Sequence, residues 1–143
     1  MKNSKNTLLL LSILLVTACK SDTKNTMASK SASAESITYN AGKSVYLDNC
    51  ISCHLPSGKG VPKAFPPLAN SDFLENNRQA SIHAIKYGLS GEITVNNELY
   101  NSVMAPLGLT DKEIADVMNY ITNSWGNTNN NEITEKEVSE IQR

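Results

Sequence analysis

Two thiols and an imidazole stand close together near the middle of the chain. Cys50 and Cys53 are three residues apart, and His54 follows the second cysteine directly. This spacing is typical of covalent haem attachment, because each thiol can form a thioether to one vinyl group of a porphyrin while the imidazole is held beneath the iron. The motif therefore predicts one haem c attached through Cys50 and Cys53, with His54 as an axial ligand of the iron.

Two other functions of a Cys-x-x-Cys pair stay open at this point. A thioredoxin-like redox pair is expected between a strand and a helix, and the surrounding sequence lacks that setting. A zinc site needs two further cysteine or histidine ligands, and only Cys19 and His83 remain to supply them. Cys19 belongs to a separate motif, so haem attachment is the favoured interpretation.

The N-terminal segment has the pattern of an export signal. Two lysines precede a short apolar run from Leu8 to Val16, which is too short to span a bilayer as a stable helix. The run ends in the letters VTAC at residues 16–19, which resemble a bacterial lipobox. We expect residues 1–18 to be a signal peptide that is cleaved before a lipidated Cys19. An ordinary secretory signal that happens to contain a cysteine is the alternative.

Composition separates a tether from a folded domain. Residues 19–38 comprise the lipidated cysteine and a linker with almost no large apolar side chain, which predicts a flexible segment. Residues 39–126 form the predicted domain, and residues 127–143 form an acidic tail with a short helix. The formal charge of −1 gives no signal for a nucleic-acid partner.

Helical periodicity and start signals outline the helices of the domain. A first helix is predicted from Tyr39 to His54, and a second from Arg78 to about Tyr87, where Gly88 is a natural stop. The last helix follows a capping box at residues 110–113.

Turn residues predict two smaller features. Residues 92–100 alternate loosely between apolar and polar side chains, and Asn96 and Asn97 tolerate positive φ, which favours a two-stranded hairpin. A second capping box at residues 134–137 opens the tail helix. The tail is expected to pack on the domain through three apolar residues, Ile133, Val138 and Ile141.

Taken together, these features resemble a class I, monohaem cytochrome c. Gly42 and Tyr46 have the spacing to Cys50 at which the first and last helices of that family cross. The resemblance covers roughly residues 39–126. It implies an all-α cytochrome c fold of three to four helices around one covalent haem, with the hairpin as a small flap between the second and last helices.

The resemblance also implies the remaining site residues. Pro66 and Leu68 match a Pro-x-Leu element whose proline carbonyl accepts the proton on the far nitrogen of His54. Met104 lies in the loop ahead of the last helix, where the family carries a second axial ligand. A thioether is a weak, uncharged donor that favours ferrous iron. Many relatives have Met-Pro at this place, whereas this chain has Met-Ala-Pro at residues 104–106.

Three other residues compete with Met104 for the iron. His83 would make a bis-histidine haem, but a histidine on a helix is more often a polar surface position. Met27 lies in the predicted tether, and Met118 lies on the core face of the last helix, where methionine is usually packing.

The resemblance implies a one-electron carrier between respiratory partners, not an enzyme. The hairpin resembles an insert of monohaem cytochromes associated with dehydrogenases, haem-copper oxidases and copper nitrite reductases. A subunit dedicated to wiring a dehydrogenase or terminal reductase is the alternative, and a gas sensor would require Met104 to leave the iron. We expect a monomer exported to the periplasmic side of a bacterial membrane and anchored there by lipid at Cys19.

Overall fold

A computed structural model describes residues 38–143, so the predicted signal peptide, the predicted lipidation site Cys19 and Met27 lie outside the described residues. The described part of the chain contains six helical segments and one two-stranded antiparallel sheet. In chain order the elements are α1 (residues 38–49), α2 (Ile51–His54), α3 (Asp72–Asn76), α4 (Arg78–Tyr87), β1 (Ile93–Val95), β2 (Glu98–Tyr100), α5 (Asp111–Ile121) and α6 (Glu135–Glu140). None of the helices over residues 38–143 combines the length and apolar character that crossing a membrane requires.

The predicted first helix is interrupted in the structure. Cys50 forms a turn between α1 and α2 with φ −115°, well away from the helical value near −63°. Hydrogen bonds still run across the turn, because the Cys50 amide donates to the Tyr46 carbonyl and the His54 amide donates to the Cys50 carbonyl, both at 2.9 Å. Leu55 then adopts φ +64° and ends α2. The prediction of one continuous helix is therefore wrong at Cys50.

The first and last long helices cross at Gly42. A Cβ atom on Gly42 would lie 2.0 Å from the carbonyl oxygen of Asp116 and 2.8 Å from Cβ of Tyr120, so only glycine permits this approach. One turn later Tyr46 is 1% exposed, and its ring centroid lies 5.5 Å from that of Tyr120 and 5.0 Å from that of Trp125. The crossing that the resemblance implied at Gly42 and Tyr46 is confirmed.

The predicted capping box and hairpin are both present. The Thr110 hydroxyl accepts from the Glu113 amide, and the Glu113 carboxylate accepts from the Thr110 amide at 2.8 Å, which starts α5. Asn96 and Asn97 have φ +51° and +63° and connect β1 to β2. Asp72 and Asn96 exchange two hydrogen bonds between backbone amide and side-chain oxygen, at 2.8 and 3.0 Å, so the hairpin is attached to the start of α3.

The tail is part of the same core as the rest of the described chain. Ile133 and Val138 are almost completely buried, and Ile141 packs against the core cluster, which confirms the expected packing. The Asn119 side chain exchanges two hydrogen bonds of 2.8 Å with the backbone of Ile133, which ties the tail to α5.

The second capping box is only half formed. The Thr134 hydroxyl accepts from the Glu137 amide at 3.2 Å, as expected for an N-cap. The Glu137 carboxylate instead accepts two hydrogen bonds of 2.6 Å from the guanidinium of Arg78 on α4. A bidentate, charge-assisted pair is stronger than a bond to a neutral amide, so Glu137 joins the tail to α4.

We predict that Gly42→Ala lowers the free energy of unfolding by about 3 kcal/mol, because the new methyl group overlaps backbone that cannot move without separating α1 from α5. Asn40→Ala is the control, since Asn40 is exposed on the same helix. Chemical denaturation of both variants measures the difference. Equal stabilities would contradict the close crossing.

A second prediction concerns pH. The Arg78 guanidinium holds the pKa of Glu137 below its ordinary value, despite an opposing contribution from burial. The pair therefore stabilises the fold above the unfolded-state pKa of about 4.3, and this stabilisation is lost as pH falls through the lower folded-state pKa. Because both side chains are about one-third exposed, we expect Glu137→Gln to cost about 1 kcal/mol at pH 7.

Denaturation across pH 3 to 7 (roughly the range over which carboxylates titrate) checks this prediction. The difference between wild type and Glu137→Gln should shrink at the acid end. Glu140→Gln is the matched control, because Glu140 contacts Lys136 at 3.8 Å in a largely exposed pair and should change little. A difference that stays constant down to the lowest pH would contradict the assignment.

Candidate haem site

The loop after α2 brings a proline carbonyl onto His54. The Gly60 amide donates to the His54 carbonyl at 3.0 Å, and the Leu68 amide donates to the Gly58 carbonyl at 2.7 Å. A Cβ atom on Gly60 would lie 2.6 Å from the Pro66 carbonyl oxygen, so the chain can fold this tightly only with glycine there. The loop is thus closed on itself, and it brings the Pro66 carbonyl within hydrogen-bonding distance of the His54 ring.

The His54 ring has one nitrogen engaged and one available. Nδ1 lies 3.0 Å from the carbonyl oxygen of Pro66. A carbonyl can only accept, so this contact assigns the proton to Nδ1 and leaves the lone pair of Nε2 for another partner. Burial lowers the pKa of His54, partly opposed by the bond to Pro66, and the ring is therefore neutral at pH 7. A neutral, oriented imidazole is the form that binds iron.

Several of the predicted site residues meet at one apolar pocket. Cys50, His54 and Met104 all lie on its walls, together with Pro66 and Leu68. The space between these walls, counted together with the open solvent at the mouth of the pocket, is about 620 Å³. Apolar side chains from α3, α4, β1 and α5 complete the walls, among them Phe73, Ile85, Val95, Val117 and Ile121.

The residues present fit a haem c. Apolar walls suit the flat macrocycle, and a neutral imidazole with a thioether is a donor pair that haem iron accepts. Cys50 lines the pocket, while Cys53 lies on α2 within the same turn as His54 and is half-buried. Neither cysteine is in a disulfide, so both thiols are available for thioether formation.

The surroundings of the two cysteines favour neither a redox pair nor a zinc site. Burial, reinforced by the neighbouring Cys53, raises the pKa of the Cys50 thiol to about 11, whereas reactive thiols of redox pairs have a lowered pKa. Over residues 38–143 no three His, Cys, Asp or Glu side chains come close enough to hold a metal ion, as a zinc site would require.

The structure separates Met104 from its competitors among the described residues. His83 is not on the pocket wall, and its ring packs edge-on against Tyr87 with 5.1 Å between centroids. Met118 is fully buried and lines a different, more polar cavity between α3, α5 and residues 126–131. Met104 is the methionine that reaches the apolar pocket.

Trp125 packs just beyond the end of α5. Its indole Nε1 donates to the Pro56 carbonyl at 3.1 Å, and its ring lies so close to Gly58 that a Cβ there would approach it to 2.5 Å. Because Trp125 also packs against Tyr120 of α5, it connects the loop after α2 to that helix.

Sequence reasoning missed the backbone contacts of the Met104 loop. Met104 pairs with Leu89 through two main-chain hydrogen bonds, and the Ser102 hydroxyl donates to the Ala64 carbonyl. Backbone pairing between distant loops leaves no side-chain pattern, so the sequence could not predict the pairing of Met104 with Leu89. Gly58 and Gly60 indicate a tight loop, but they do not identify the segment that the loop contacts.

Comparisons with known proteins agree with this site. The family described as "Cytochrome c" matches residues 39–125. The chain is 42% identical over 90 residues to cytochrome c-552 of Thermus thermophilus, an alignment that covers 59% of this chain and 68% of the relative.

Two further relatives are named as subunits of dehydrogenases. The cytochrome c subunit of the quinone alcohol dehydrogenase of Gluconobacter oxydans is 32% identical over 106 residues, covering 71% of this chain and 22% of the subunit. The cytochrome c subunit of the gluconate 2-dehydrogenase of Pantoea cypripedii is 29% identical over 107 residues, covering 71% of this chain and 24% of that subunit. The family match covers more than half of the chain and includes the whole Cys50–His54 motif, so the protein belongs to the cytochrome c family as a class I, monohaem cytochrome c that carries covalent haem c.

Proposed function

We propose that this cytochrome c carries single electrons on an iron bound by His54 and Met104. Family membership supports the electron-carrier activity. One observation supports the ligand pair: both side chains lie on the walls of the same apolar pocket, beside Cys50. When bound there, haem c supplies a one-electron couple within the physiological range.

The residues around the iron position set the properties of this couple. The bond from His54 Nδ1 to the Pro66 carbonyl fixes the ring and makes the imidazole a stronger donor. The Met104 thioether is a weak donor that favours the ferrous form and raises the potential. The apolar walls would favour the less charged, ferrous state of the iron. If His54 and Met104 both bind the iron, no position would remain for a small ligand, which disfavours gas sensing.

We predict that Met104→Ala lowers the reduction potential by on the order of 0.1 V or more, since axial ligands move haem potentials over a range of about 0.8 V. The variant should also lose the weak sulfur-to-iron absorption band of the ferric protein and should bind carbon monoxide when reduced. A spectroelectrochemical titration measures the potential and the band together.

The control for this experiment is Met118→Leu, which replaces a buried methionine outside the apolar pocket with a side chain of similar volume. It should leave the band and the potential unchanged. Retention of the band and of the wild-type potential in Met104→Ala would overturn the ligand assignment.

The redox partners are proposed to be respiratory proteins: a dehydrogenase, a haem-copper oxidase or a copper nitrite reductase. The two relatives named as dehydrogenase subunits favour a dehydrogenase as donor. They also support the second candidate, a subunit dedicated to one complex. The chain spans about a quarter or less of the length of these subunits. Co-purification with a dehydrogenase at stoichiometric yield would favour the dedicated subunit, and recovery as a lone monomer would favour a mobile carrier.

Export and membrane anchoring are proposed from the lipobox-like VTAC sequence at residues 16–19. Lipid on Cys19 would hold the domain on the periplasmic side of a bacterial membrane through residues 19–38. Several acyl chains on one residue give stable anchoring, where a single chain is marginal.

We predict that Cys19→Ser abolishes incorporation of labelled palmitate and moves the protein from the membrane fraction to the soluble fraction. Because Cys19 lies outside the cytochrome c domain, the haem spectrum should be unchanged, which serves as the internal control. Equal membrane recovery of the variant, or no label in the wild-type protein, would contradict lipid anchoring.

A further inference from the structure

The main chain of Met104 is held by a partner far from it in sequence. The Met104 amide donates to the Leu89 carbonyl at 2.9 Å, and the Leu89 amide donates to the Met104 carbonyl at 2.8 Å. The two residues form an isolated antiparallel bridge, outside β1 and β2. Two exchanged hydrogen bonds fix both the position and the direction of a backbone segment, so Leu89 determines where the Met104 side chain begins.

Gly88 allows the two segments to come this close. It adopts φ +85°, and a Cβ atom there would lie 2.7 Å from the Met104 carbonyl oxygen. The same atom would lie 3.0 and 3.1 Å from Cδ and N of Pro106. The Met104 backbone and Pro106 therefore pack directly onto a residue that has no side chain.

The support of this bridge is itself fixed. Gly88 follows α4, whose Ile85 lines the apolar pocket, and the other side of α4 is attached to the tail. Lys86 Nζ donates to the Val138 carbonyl at 2.7 Å, and the Tyr87 hydroxyl donates to the Ile141 carbonyl at 3.0 Å. The Met104 backbone is therefore hydrogen-bonded to the segment that follows α4, and α4 is held in place on its other side by the tail.

The residue that follows the proposed ligand lies outside this contact. Ala105, which separates Met104 from Pro106, is exposed. Met104 therefore keeps both of its main-chain hydrogen bonds with Leu89 while the next residue faces solvent.

We infer that Gly88 and Leu89 are positioning residues for the iron: their clasp on the Met104 backbone holds the thioether in the pocket and closes the second axial position to external ligands. The inference depends on the proposed ligation of iron by Met104, and it goes further by assigning the stability of that ligation to a backbone contact.

The test compares two glycines of the full-length holoprotein. Gly88→Ala pushes the new methyl group against the Met104 carbonyl. Gly108→Ala is the matched control, because Gly108 also has positive φ (+71°) but no heavy atom within 4 Å of a Cβ there. Both variants therefore bear backbone strain, and only Gly88→Ala disturbs the clasp. The probe is imidazole, titrated into the ferric protein while the sulfur-to-iron band is followed.

We expect Gly88→Ala to bind imidazole about tenfold more tightly than wild type, because apparent affinity rises with the fraction of molecules in which the position is open. Its sulfur-to-iron band should weaken, whereas Gly108→Ala should match wild type in both respects. Equal imidazole affinity in the two variants would contradict the inference that Gly88 and Leu89 hold Met104 in place. Absence of the band from wild type would instead refute the ligation by Met104, so the two failures are distinguishable.

Amide hydrogen exchange of the wild-type holoprotein decides the question if Gly88→Ala fails to retain haem. Saturating imidazole should accelerate exchange at both Leu89 and Met104, since displacement of the thioether requires the clasp to open. The Thr122 amide, which donates to the Met118 carbonyl at 3.0 Å on α5, is the internal reference and should not change. Loss of the band with unchanged exchange at Leu89 and Met104 would overturn the inference.

Discussion

The contact between α1 and α5 at Gly42 is the constraint on which the site depends. It sets the two helices backbone against backbone, and α1 leads directly into Cys50 and His54. Tyr46 extends the contact, because its hydroxyl donates to the Leu55 carbonyl at 2.6 Å and so holds the end of α2. Since α5 also supplies Val117 and Ile121 to the apolar pocket, the crossing aligns the attachment motif with the wall that it faces.

The second requirement is that polar groups near an apolar pocket be satisfied. An unpaired buried donor or acceptor would cost about 1–3 kcal/mol. Among residues 38–143 no buried side-chain nitrogen or oxygen lacks a hydrogen-bond partner. His54 is paired with a backbone carbonyl and keeps its second nitrogen toward the pocket, which combines low polarity with a strong metal donor. The hydrogen bond to the Pro66 carbonyl therefore both satisfies the buried His54 ring and makes it a stronger donor to a metal.

The sequence predicted the features that depend on neighbours along the chain. The Cys-x-x-Cys-His spacing predicted the roles of Cys50 and His54. The capping box predicted the start of α5, and the tolerance of Asn96 for positive φ predicted the hairpin. These signals are local, so they need no knowledge of the fold. Gly88 was also predicted as the stop of α4, whereas the pocket to which α4 and α5 contribute was not predicted, because its other walls come from distant loops.

Predictions failed or stopped where tertiary contacts compete with local preference. Glu137 has the spacing of a capping box, yet its carboxylate binds Arg78, because a bidentate ion pair outweighs a bond to the Thr134 amide. The turn at Cys50 interrupts a segment with uniform helical periodicity. The packing of the tail through Ile133 was predicted, but its two hydrogen bonds with Asn119 were not, because they use the main chain of Ile133 and leave no pattern in the sequence.

The two proposed iron ligands are held by different parts of the chain. His54 depends on the α1–α5 crossing and on the Pro66 loop, whereas Met104 depends on Leu89 and, through α4, on the tail. The bond from the Ser102 hydroxyl to the Ala64 carbonyl joins the two parts. A ligand whose backbone is held by several hydrogen bonds resists movement when the charge on the iron changes, which keeps the rearrangement on electron transfer small. A sensor requires the opposite, a ligand that leaves easily, and these contacts around Met104 oppose it.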